Sequence, residues 1–488
     1  MKQQFLHWMV GMLCGLLILT PAHATENNRA EQGLTFPADR FTEKSITFPN
    51  GESVHFRAYE RLYYVQHVED STYQYLNLFV PASAYGKADK TPILFRTYVG
   101  GYMAAEATDP SPLDATGRAL LEGFVVVIPG SRGWNSAVTT QEGDKHFTGK
   151  APAGLLDLKA AIRYIRQQDA TMPGDAERII TDGTSAGGAL SALLGMTGNH
   201  PAYQSYLKAM GAASTRDDVY ASVCYCPIID LEHADRAYEW LYSCTNTRAR
   251  SLSPEQIRLS EELANSYMDY LEGLNMLMPD GTPLDRDNYL DYLKSFLIRS
   301  AQQARNEGFE FASEMGVICD RHKQPWGIQE GEFVLDINMD HYLNYIATHR
   351  TLKTPPAFDQ QGVLVPEATP ENQLFGDATG ATNNFTDWSL QKATHNSKAS
   401  LDPEIRERVR LMNPFSFIHD SSAKQAKHWF IRHGALDRDT AFPIPINLYT
   451  LLVQKGYQVD FKLPWNRDHA GDYNLDDLFR WIKMCVQP

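Results

Sequence analysis

The chain has 488 residues, which at about 150 residues per domain suggests two or three domains. Hydrophobic residues make up 43% and charged residues 21%, a balance that argues against a disordered chain and against a multi-span membrane protein. The 45 Lys and Arg residues against 59 Asp and Glu give a net charge of −14, which disfavours nucleic acid and anionic membranes as partners.

The first 24 residues have the pattern of a signal peptide. Lys2 precedes an apolar run that ends at Leu19, and Ala22-His23-Ala24 offers an Ala-x-Ala cleavage site. The run is short for a membrane span, although an uncleaved anchor stays an alternative. We expect residues 1–24 to be removed and the protein to be exported, to the periplasm or the medium, free of the membrane.

The cysteines do not predict a metal site. Five remain beyond the leader, and none forms a CxxC pair or a Cys-His cluster with zinc-ligand spacing. We expect these five, Cys224, Cys226, Cys244, Cys319 and Cys485, to be mainly buried thiols. One disulfide among them is the alternative in an oxidising compartment.

The elements predict an α/β fold. Short alternating runs between 41 and 81, with Asn50-Gly51 between the first two, indicate antiparallel hairpins. Beyond Pro92, continuous apolar strands alternate with helical patterns, as in a mostly parallel sheet covered on both faces. These strands are predicted at 93–95, 124–128, 179–181, 221–226, 429–431 and 459–463.

The alternation stops between 230 and 400. This stretch has helical patterns at 254–274 and 288–312 and many aromatic residues. Because sheet strands resume after it, we favour an insertion over an independent second domain. The predicted organisation is an α/β core in two parts, 25–229 and 401–488. A large, mainly helical lid domain at 230–400 is inserted between them.

The chemistry is concentrated at one predicted strand-to-helix turn, G-T-S-A-G at 183–187. Glycines on both sides of Ser185 let the chain turn sharply, so that the hydroxyl projects from the sheet edge. The helix N-terminus behind it directs N–H groups toward a developing oxyanion. We predict Ser185 as a nucleophile, although a glycine-rich turn with a spectator serine has the same pattern.

A nucleophilic serine needs a base, and the base needs an orienting acid. In this architecture the order is Ser, acid, His, each in a loop after a sheet strand. Asp437 and His469 each follow a predicted strand. His433 is a rival base that lies too near the strand of its own acid. Asp439 lies on the same loop as Asp437 and competes for the role of the acid.

The oxyanion site needs a second N–H donor from the loop after an earlier strand. Gly100 and Gly101 form a Gly-Gly turn shortly after the strand at 93–95. We predict that their N–H groups act together with that of Ala186.

Three stretches resemble bacterial tannases, which are tannin acyl hydrolases with an α/β-hydrolase core and a large lid. They are G-T-S-A-G-G-A-L-S-A at 183–192, C-P-I-I-D-L-E-H-A-D at 226–235 followed by Y-E-W at 238–240, and W-N-R-D-H-A-G-D-Y at 465–473. Many esterases share the first stretch, whereas the other two are more discriminating. The resemblance implies Ser185, Asp437 and His469 as the catalytic triad.

The resemblance also implies residues that hold the hydroxyls of a galloyl ring. In the family these are a Lys and a Glu from the lid and an Asp two positions past the triad acid, here Asp439. Lys353 is the best match for the Lys and Glu371 for the Glu, with Glu367 as a competitor. Carboxylates and a lysine suit three adjacent phenolic hydroxyls, which donate and accept. Solvated surface charges are the alternative.

The resemblance and the residues together predict a serine esterase. It would cleave galloyl ester and depside bonds of tannins and simple gallate esters through an acyl-enzyme, with a small-molecule polyphenol ester as its partner. The residues imply no metal and no organic cofactor. A feruloyl or broad aryl esterase with the same triad is the first alternative, and a peptidase is a weaker one. A non-catalytic module that binds polyphenols through the aromatic lid is the alternative from another class.

Overall fold

The computed structural model describes residues 34–86, 90–243, 245–320 and 333–486. The expected signal peptide and Cys244 lie outside these ranges. Inside them the cysteines are free thiols, namely Cys224, Cys226, Cys319 and Cys485. Across the same ranges we find no helix with the length and apolar character that a membrane crossing requires.

The described residues form thirteen strands. They are β1 (Thr42–Thr47), β2 (Ser53–Tyr63), β3 (Tyr75–Pro81), β4 (Pro92–Arg96), β5 (Val125–Pro129), β6 (Ala137–Thr139), β7 (Lys145–Phe147), β8 (Asp175–Thr184), β9 (Ala221–Tyr225), β10 (Val317–Asp320), β11 (Phe333–Ile337), β12 (His428–Arg432) and β13 (Gln458–Lys462).

Nine strands form one sheet in the order β1-β2-β3-β5-β4-β8-β9-β12-β13. The pairs from β1 to β5 are antiparallel, and those from β5 to β13 are parallel. Two antiparallel hairpins, β6–β7 and β10–β11, stand apart from it. The predicted α/β fold with a mostly parallel sheet is confirmed, and each predicted parallel strand overlaps an observed one.

The same ranges contain fourteen α-helices. They are α1 (Ala115–Leu121), α2 (Ala153–Gln167), α3 (Ala186–Met196), α4 (Gln204–Ala209), α5 (Leu231–Tyr242), α6 (Asn246–Ala249), α7 (Pro254–Gly273), α8 (Tyr289–Asn306), α9 (Met339–His349), α10 (Pro370–Leu374), α11 (Asp387–Thr394), α12 (Pro403–Leu411), α13 (Pro443–Gln454) and α14 (Leu475–Val486).

Strand β5 shows why the middle of the sheet is a continuous apolar run. Val125 and Val127 belong to the core on one face, and Val126 and Ile128 to the core on the other. Successive side chains of a strand point to opposite faces, so a strand covered on both faces is apolar at every position. Helices α2, α3 and α13 cover one face, and α1 and α14 cover the other.

The chain leaves the sheet after β9 and returns to it at β12. Helices α5 to α12 and the hairpin β10–β11 lie between. Helices α7 and α8 occupy the stretches with helical patterns, but α8 ends at Asn306, earlier than its pattern suggested. Gly308, two residues later, has a φ of 91° that a helix cannot continue through. The hairpin was not predicted, because strands of four and five residues carry little periodicity.

A buried ion cluster ties two strand ends to a loop near the C-terminus. Arg96, the last residue of β4, donates to Asp182 of β8 at 2.6 Å and to both carboxylate oxygens of Asp472 at 3.2 and 3.0 Å. The side chains of Arg96 and Asp182 are 6% and 0% exposed. Because a buried charge that loses its partner is costly, this cluster holds the loop after β13 against the end of β8.

We expect Arg96→Met to lower the free energy of unfolding by about 3–5 kcal/mol, because it leaves the buried Asp182 without its counter-charge. Urea-induced unfolding at neutral pH measures the change. Arg480→Met is the matched control, since Arg480 is 67% exposed and pairs with Asp477 at 3.4 Å, an exposed pair that contributes about 0–1 kcal/mol. Equal losses in the two variants would contradict the structural role of the cluster.

Candidate active site

Ser185 lies in the sharp turn between β8 and α3. Its φ and ψ are 62° and −124°, a conformation that costs a non-glycine residue about 1–3 kcal/mol. Its N–H donates to the carbonyl of Tyr225 at 2.9 Å, and its carbonyl accepts from the N–H of Ala189 at 3.0 Å. Such a strained turn presents the serine hydroxyl above the carboxyl edge of the sheet.

Two close approaches explain the glycines around Ser185. A Cβ on Gly183 would lie 2.3 Å from the carbonyl oxygen of Gly187, and a Cβ on Gly187 would lie 2.9 Å from that of Val99. Real Cβ atoms essentially never come within 3.0 Å of another heavy atom, so a side chain at either position would open the turn. Close packing therefore requires glycine at both positions of the G-T-S-A-G motif.

The structure brings His469 and Asp437 together. Nδ1 of His469 lies 2.8 Å from Oδ2 of Asp437, and the other carboxylate oxygen accepts the N–H of Asp439 at 2.8 Å. The Asp437 side chain is fully buried, and that of His469 is 20% exposed. The Asp439 carboxylate lies farther from Nδ1, at 3.8 Å, so Asp437 is the better placed acid.

Burial and neighbouring groups set the charge states of this pair. Burial alone would raise the pKa of Asp437, but the adjacent imidazoles of His433 and His469 outweigh burial and lower it. Burial alone would lower the pKa of His469, but its hydrogen bond to Asp437 and the charges of Asp437 and Asp439 raise it. Because an ionised carboxylate only accepts, Nδ1 carries the hydrogen and Nε2 is free to act as a base.

The loop that carries His469 packs against the turn that carries Ser185. A Cβ on Gly471 would lie 2.0 Å from Oγ1 of Thr184, the residue before Ser185. The same loop supplies Asp472 to the buried cluster around Arg96. The predicted nucleophile and base thus come from neighbouring loops at one edge of the sheet.

His433, the rival base, lies behind Asp437. Its side chain is fully buried, and its Nδ1 is 3.5 Å from Oδ2 of Asp437. Neither ring nitrogen has a hydrogen-bond partner in the described part of the chain, and burial lowers the pKa of the imidazole. This buried position behind the acid does not suit a base that meets substrate.

The loop after β4 packs on the N-terminus of α3. The N–H of Gly187 donates to the carbonyl of Val99 at 2.9 Å, which sets Gly100 and Gly101 beside the Ser185 turn. Gly101 has a φ of 55°, a left-handed conformation that favours glycine, and its carbonyl accepts from the indole N–H of Trp134 at 2.8 Å. The N–H of Ala186 is at the first position of α3, where a helix has no internal acceptor for it.

Lys353 and Glu371, both from the segment between β9 and β12, act electrostatically on the same region. Burial lowers the pKa of Lys353, and the charges of Glu371, Asp439 and Asp235 oppose that shift. Burial raises the pKa of Glu371, and the charge of Lys353 opposes it. The charge of Lys353 also reaches His469 and lowers its pKa against the effect of the carboxylates.

The two candidate glutamates differ in their surroundings. Glu371, in the first turn of α10, is 8% exposed and interacts with Lys353, whereas Glu367 is exposed. A buried carboxylate needs polar or charged partners, whereas an exposed one is solvated by water. The geometry therefore favours Glu371 over Glu367.

The anchoring of Lys353 was not foreseen from the sequence. Its carbonyl accepts from Nε and Nη2 of Arg248 at 3.0 and 2.8 Å, and its N–H donates to the hydroxyl of Tyr238 at 3.0 Å. Arg248 in turn forms two 2.6 Å bonds with the buried Glu239. The ammonium lies 3.8 Å from the centroid of the Phe358 ring. Tyr238 and Glu239 belong to the Y-E-W stretch at 238–240, which is the part of the sequence that could have indicated this anchoring.

Asp235, also from the discriminating stretch, holds the backbone after Lys353. Its carboxylate accepts the N–H groups of Phe358 and Asp359 at 2.8 and 3.1 Å. Burial, followed by the charge of Asp359, raises the pKa of Asp235 to about 7. This carboxyl is therefore partly protonated near neutral pH.

The fold and the strained serine turn define an α/β hydrolase. A protein-family model described as BD-FAE matches residues 76–269. Esterase LipQ of Mycobacterium tuberculosis is 34% identical over 90 residues, which are 18% of this chain and 20% of that protein. Human cocaine esterase is 35% identical over 115 residues, which are 23% of this chain and 19% of that protein. The chain thus matches only about a fifth of the length of these curated relatives.

Solved structures match over nearly the whole chain. The tannase of Fusobacterium nucleatum is 34% identical, with a TM-score of 0.81, over 93% of this chain and 100% of that one. The tannin acyl hydrolase of Lactobacillus plantarum is 36% identical, with a TM-score of 0.83, over 94% of this chain and 100% of that one. A tannin acyl hydrolase in complex with ethyl gallate is 37% identical, with a TM-score of 0.81, over 93% and 99%. The chain belongs to the bacterial tannases, a family of carboxylic ester hydrolases.

We expect Asp235→Asn to flatten the pH dependence of stability. The folded pKa of about 7 is above the unfolded value of about 3.9. The contribution of this group is therefore complete below about pH 4 and is lost as the pH rises to about 7. Urea-induced unfolding between pH 5 and 7 should show a steeper decline for the unmodified protein, by up to about 1.4 kcal/mol per pH unit.

Asp340→Asn controls for the change in net charge, because Asp340 is exposed in the first turn of α9. It should keep the pH dependence of the unmodified protein. Parallel pH profiles for Asp235→Asn and the unmodified protein would show that Asp235 ionises normally in the fold.

Proposed function

We propose that this protein hydrolyses galloyl esters and depsides to gallic acid, with Ser185, Asp437 and His469 as its catalytic triad. The observation that carries the proposal is a group of charged side chains beside His469: Lys353 interacts electrostatically with Glu371 and Asp439, and both Lys353 and Asp439 interact with His469. The complex of a 37% identical relative with ethyl gallate supports the same substrate class.

The ring-binding groups suit gallate on chemical grounds. Three adjacent phenolic hydroxyls can donate to the carboxylates of Glu371 and Asp439 and accept from the ammonium of Lys353. Buried polar partners would stay unpaired against a ring without these hydroxyls, so the site discriminates against such rings. Arg248 and Tyr238 hold the backbone of Lys353, which keeps the ammonium in place before substrate binds.

In the proposed reaction Nε2 of His469 takes the proton from Ser185 as Oγ attacks the ester carbonyl. The N–H groups of Ala186 and of Gly100 and Gly101 bind the oxyanion. Asp437 stabilises the imidazolium, which then gives its proton to the departing alcohol or phenol. Water activated by His469 hydrolyses the galloyl-enzyme and releases gallic acid.

The segment at 230–400 serves in this proposal as the lid over the site, since it supplies Lys353 and Glu371. We also propose that residues 1–24 direct export and are then removed. N-terminal sequencing of the mature protein tests this: a chain that begins near residue 25 supports export.

Ser185→Ala should abolish turnover of methyl gallate, with kcat lower by a factor on the order of 10⁶, because no other group replaces the nucleophile. Gallate binding, measured by calorimetry, should persist because the ring-binding residues are intact. Ser191→Ala is the control: Ser191 lies on the same helix but is buried, with its hydroxyl 2.8 Å from that of Thr181. Hydrolysis by Ser185→Ala, or labelling of that variant by a fluorophosphonate, would rule out the assignment.

Glu371→Gln should lower kcat/KM for methyl gallate about 10–100-fold, because one buried hydrogen-bond partner of the ring is lost. The rate with p-nitrophenyl acetate, which has no phenolic donors, should change little. Glu367→Gln is the matched control and should leave both rates unchanged. An equal loss with both substrates would remove Glu371 from ring recognition, and a preference of the unmodified enzyme for methyl ferulate would favour the feruloyl esterase alternative.

A further inference from the structure

A thiol that the proposed reaction does not use lies beside the acid and the histidine. Cys226 directly follows β9 and is fully buried. Its Sγ, a carboxylate oxygen of Asp437 and a ring nitrogen of His469 all lie within 4.8 Å of one another. Thiolate, imidazole and carboxylate are the ligand types that bind Zn²⁺.

We propose that Cys226, Asp437 and His469 form an inhibitory site for a thiophilic divalent cation, Zn²⁺ or Cd²⁺. The cation would be bound by Sγ of Cys226, the carboxylate of Asp437 and Nδ1 of His469, the ring nitrogen that faces Asp437. The inhibitory effect rests on the triad proposed above, whereas the binding itself does not.

Metal binding requires only small shifts of the three donor atoms. Zinc bonds of about 2.0–2.3 Å place the ligand atoms of a tetrahedral site about 3.3–3.8 Å apart. Nδ1 of His469 and Oδ2 of Asp437, which are 2.8 Å apart, would separate slightly, and Sγ of Cys226, within 4.8 Å of its partners, would approach by about 1 Å. Water would fill the fourth position, as in zinc sites with three protein ligands. His469 is the exposed member of the three, so the cation would enter on its side.

The nearby charges favour a cation. The carboxylates of Asp437 and Asp439 lie 2.8 and 3.8 Å from Nδ1 of His469. The charge of Lys353 opposes them, and its ammonium lies 3.8 Å from the centroid of the Phe358 ring. Asp439 is paired with Arg438 at 3.2 Å, so the attraction for a divalent ion comes mainly from Asp437 and from the thiolate that forms on binding.

Binding would inactivate the base through a change of tautomer. In the metal-free protein Nδ1–H donates to Asp437, and the Cys226 thiol donates to the carbonyl of Ala470 at 3.4 Å. Metal bonds to Sγ and Nδ1 need both lone pairs, so the thiol proton goes to solvent and the Nδ1 proton is replaced by one at Nε2. Nε2–H cannot accept the proton of Ser185, and Asp437 no longer orients the ring. No redox change is involved.

The test uses the full mature chain, stripped with a chelator and then titrated with Zn²⁺ or Cd²⁺ alone. Zn²⁺ should inhibit both methyl gallate turnover and fluorophosphonate labelling of Ser185, and a chelator should reverse it. Cd²⁺ should produce a thiolate charge-transfer absorbance that rises with inhibition. Mg²⁺ should not inhibit in the same concentration range, because it prefers oxygen ligands in octahedral geometry.

Cys226→Ser should raise the half-inhibitory Zn²⁺ concentration at least about 10-fold, relative to its own metal-free rate, and should lose the Cd²⁺ band that accompanies inhibition. Cys224→Ser is the matched control. Cys224 is buried two residues earlier on β9, with its Sγ 3.3 Å from the hydroxyl of Ser222, and its removal should change neither readout.

Equal Zn²⁺ sensitivity of Cys226→Ser and the unmodified protein would overturn the site. Inhibition of the unmodified protein by Cd²⁺ without a thiolate absorbance band would also overturn the site. This measurement needs no variant, so it can be made even if Cys226→Ser does not fold. The Cd²⁺ titration and the fluorophosphonate labelling do not depend on gallate hydrolysis. If the metal-free protein does not hydrolyse methyl gallate, the proposed function is refuted. Metal binding can still be measured by the Cd²⁺ titration and the fluorophosphonate labelling.

Discussion

The candidate site depends on a buried ion cluster in which Arg96 binds Asp182 and Asp472. Arg96 ends the strand before the Gly100 loop, Asp182 lies three residues before Ser185, and Asp472 lies three residues after His469. One guanidinium therefore links three of the four loops that the proposed reaction needs, and the fourth, after β12, carries Asp437. Because these charges are taken out of water, each is stable only while the others stay in place. The cluster touches no substrate in this proposal, but it determines where the reacting groups meet.

Charge burial is the common feature of the rest of the site. Lys353, Glu371 and Asp235 all have pKa values displaced toward their neutral forms, with burial as the largest cause. In the proposed function, hydroxyl groups of a bound ring would replace the water that Lys353 and Glu371 lost, whereas Asp235 is satisfied by backbone N–H groups. Arg248 and Tyr238 anchor the backbone of Lys353 through hydrogen bonds. The proposed specificity for a trihydroxylated ring would thus follow from the burial of these charged groups.

Asp437 has neighbours on more than one side. Nδ1–H of His469 donates to its carboxylate at 2.8 Å, Nδ1 of His433 lies 3.5 Å from the same oxygen, and Sγ of Cys226 lies within 4.8 Å of a carboxylate oxygen. The ionised carboxylate and nearby imidazole that favour proton transfer also favour a cation. The arrangement that makes a good base can therefore be diverted by a thiophilic ion.

Local patterns in the sequence were enough for the fold class and for candidate residues. Apolar runs such as the one in β5 result from burial on both faces of the sheet, and the glycines around Ser185 are required by close backbone contacts. The order of Asp437 and His469 along the chain is the one that the α/β-hydrolase architecture imposes. Contacts between distant segments leave no such periodic trace. Only the tertiary structure separated Glu371 from Glu367 by burial, joined Arg248 to Lys353 and set Cys226 beside Asp437, because these depend on how the segment between β9 and β12 and the last loops fold back onto the sheet.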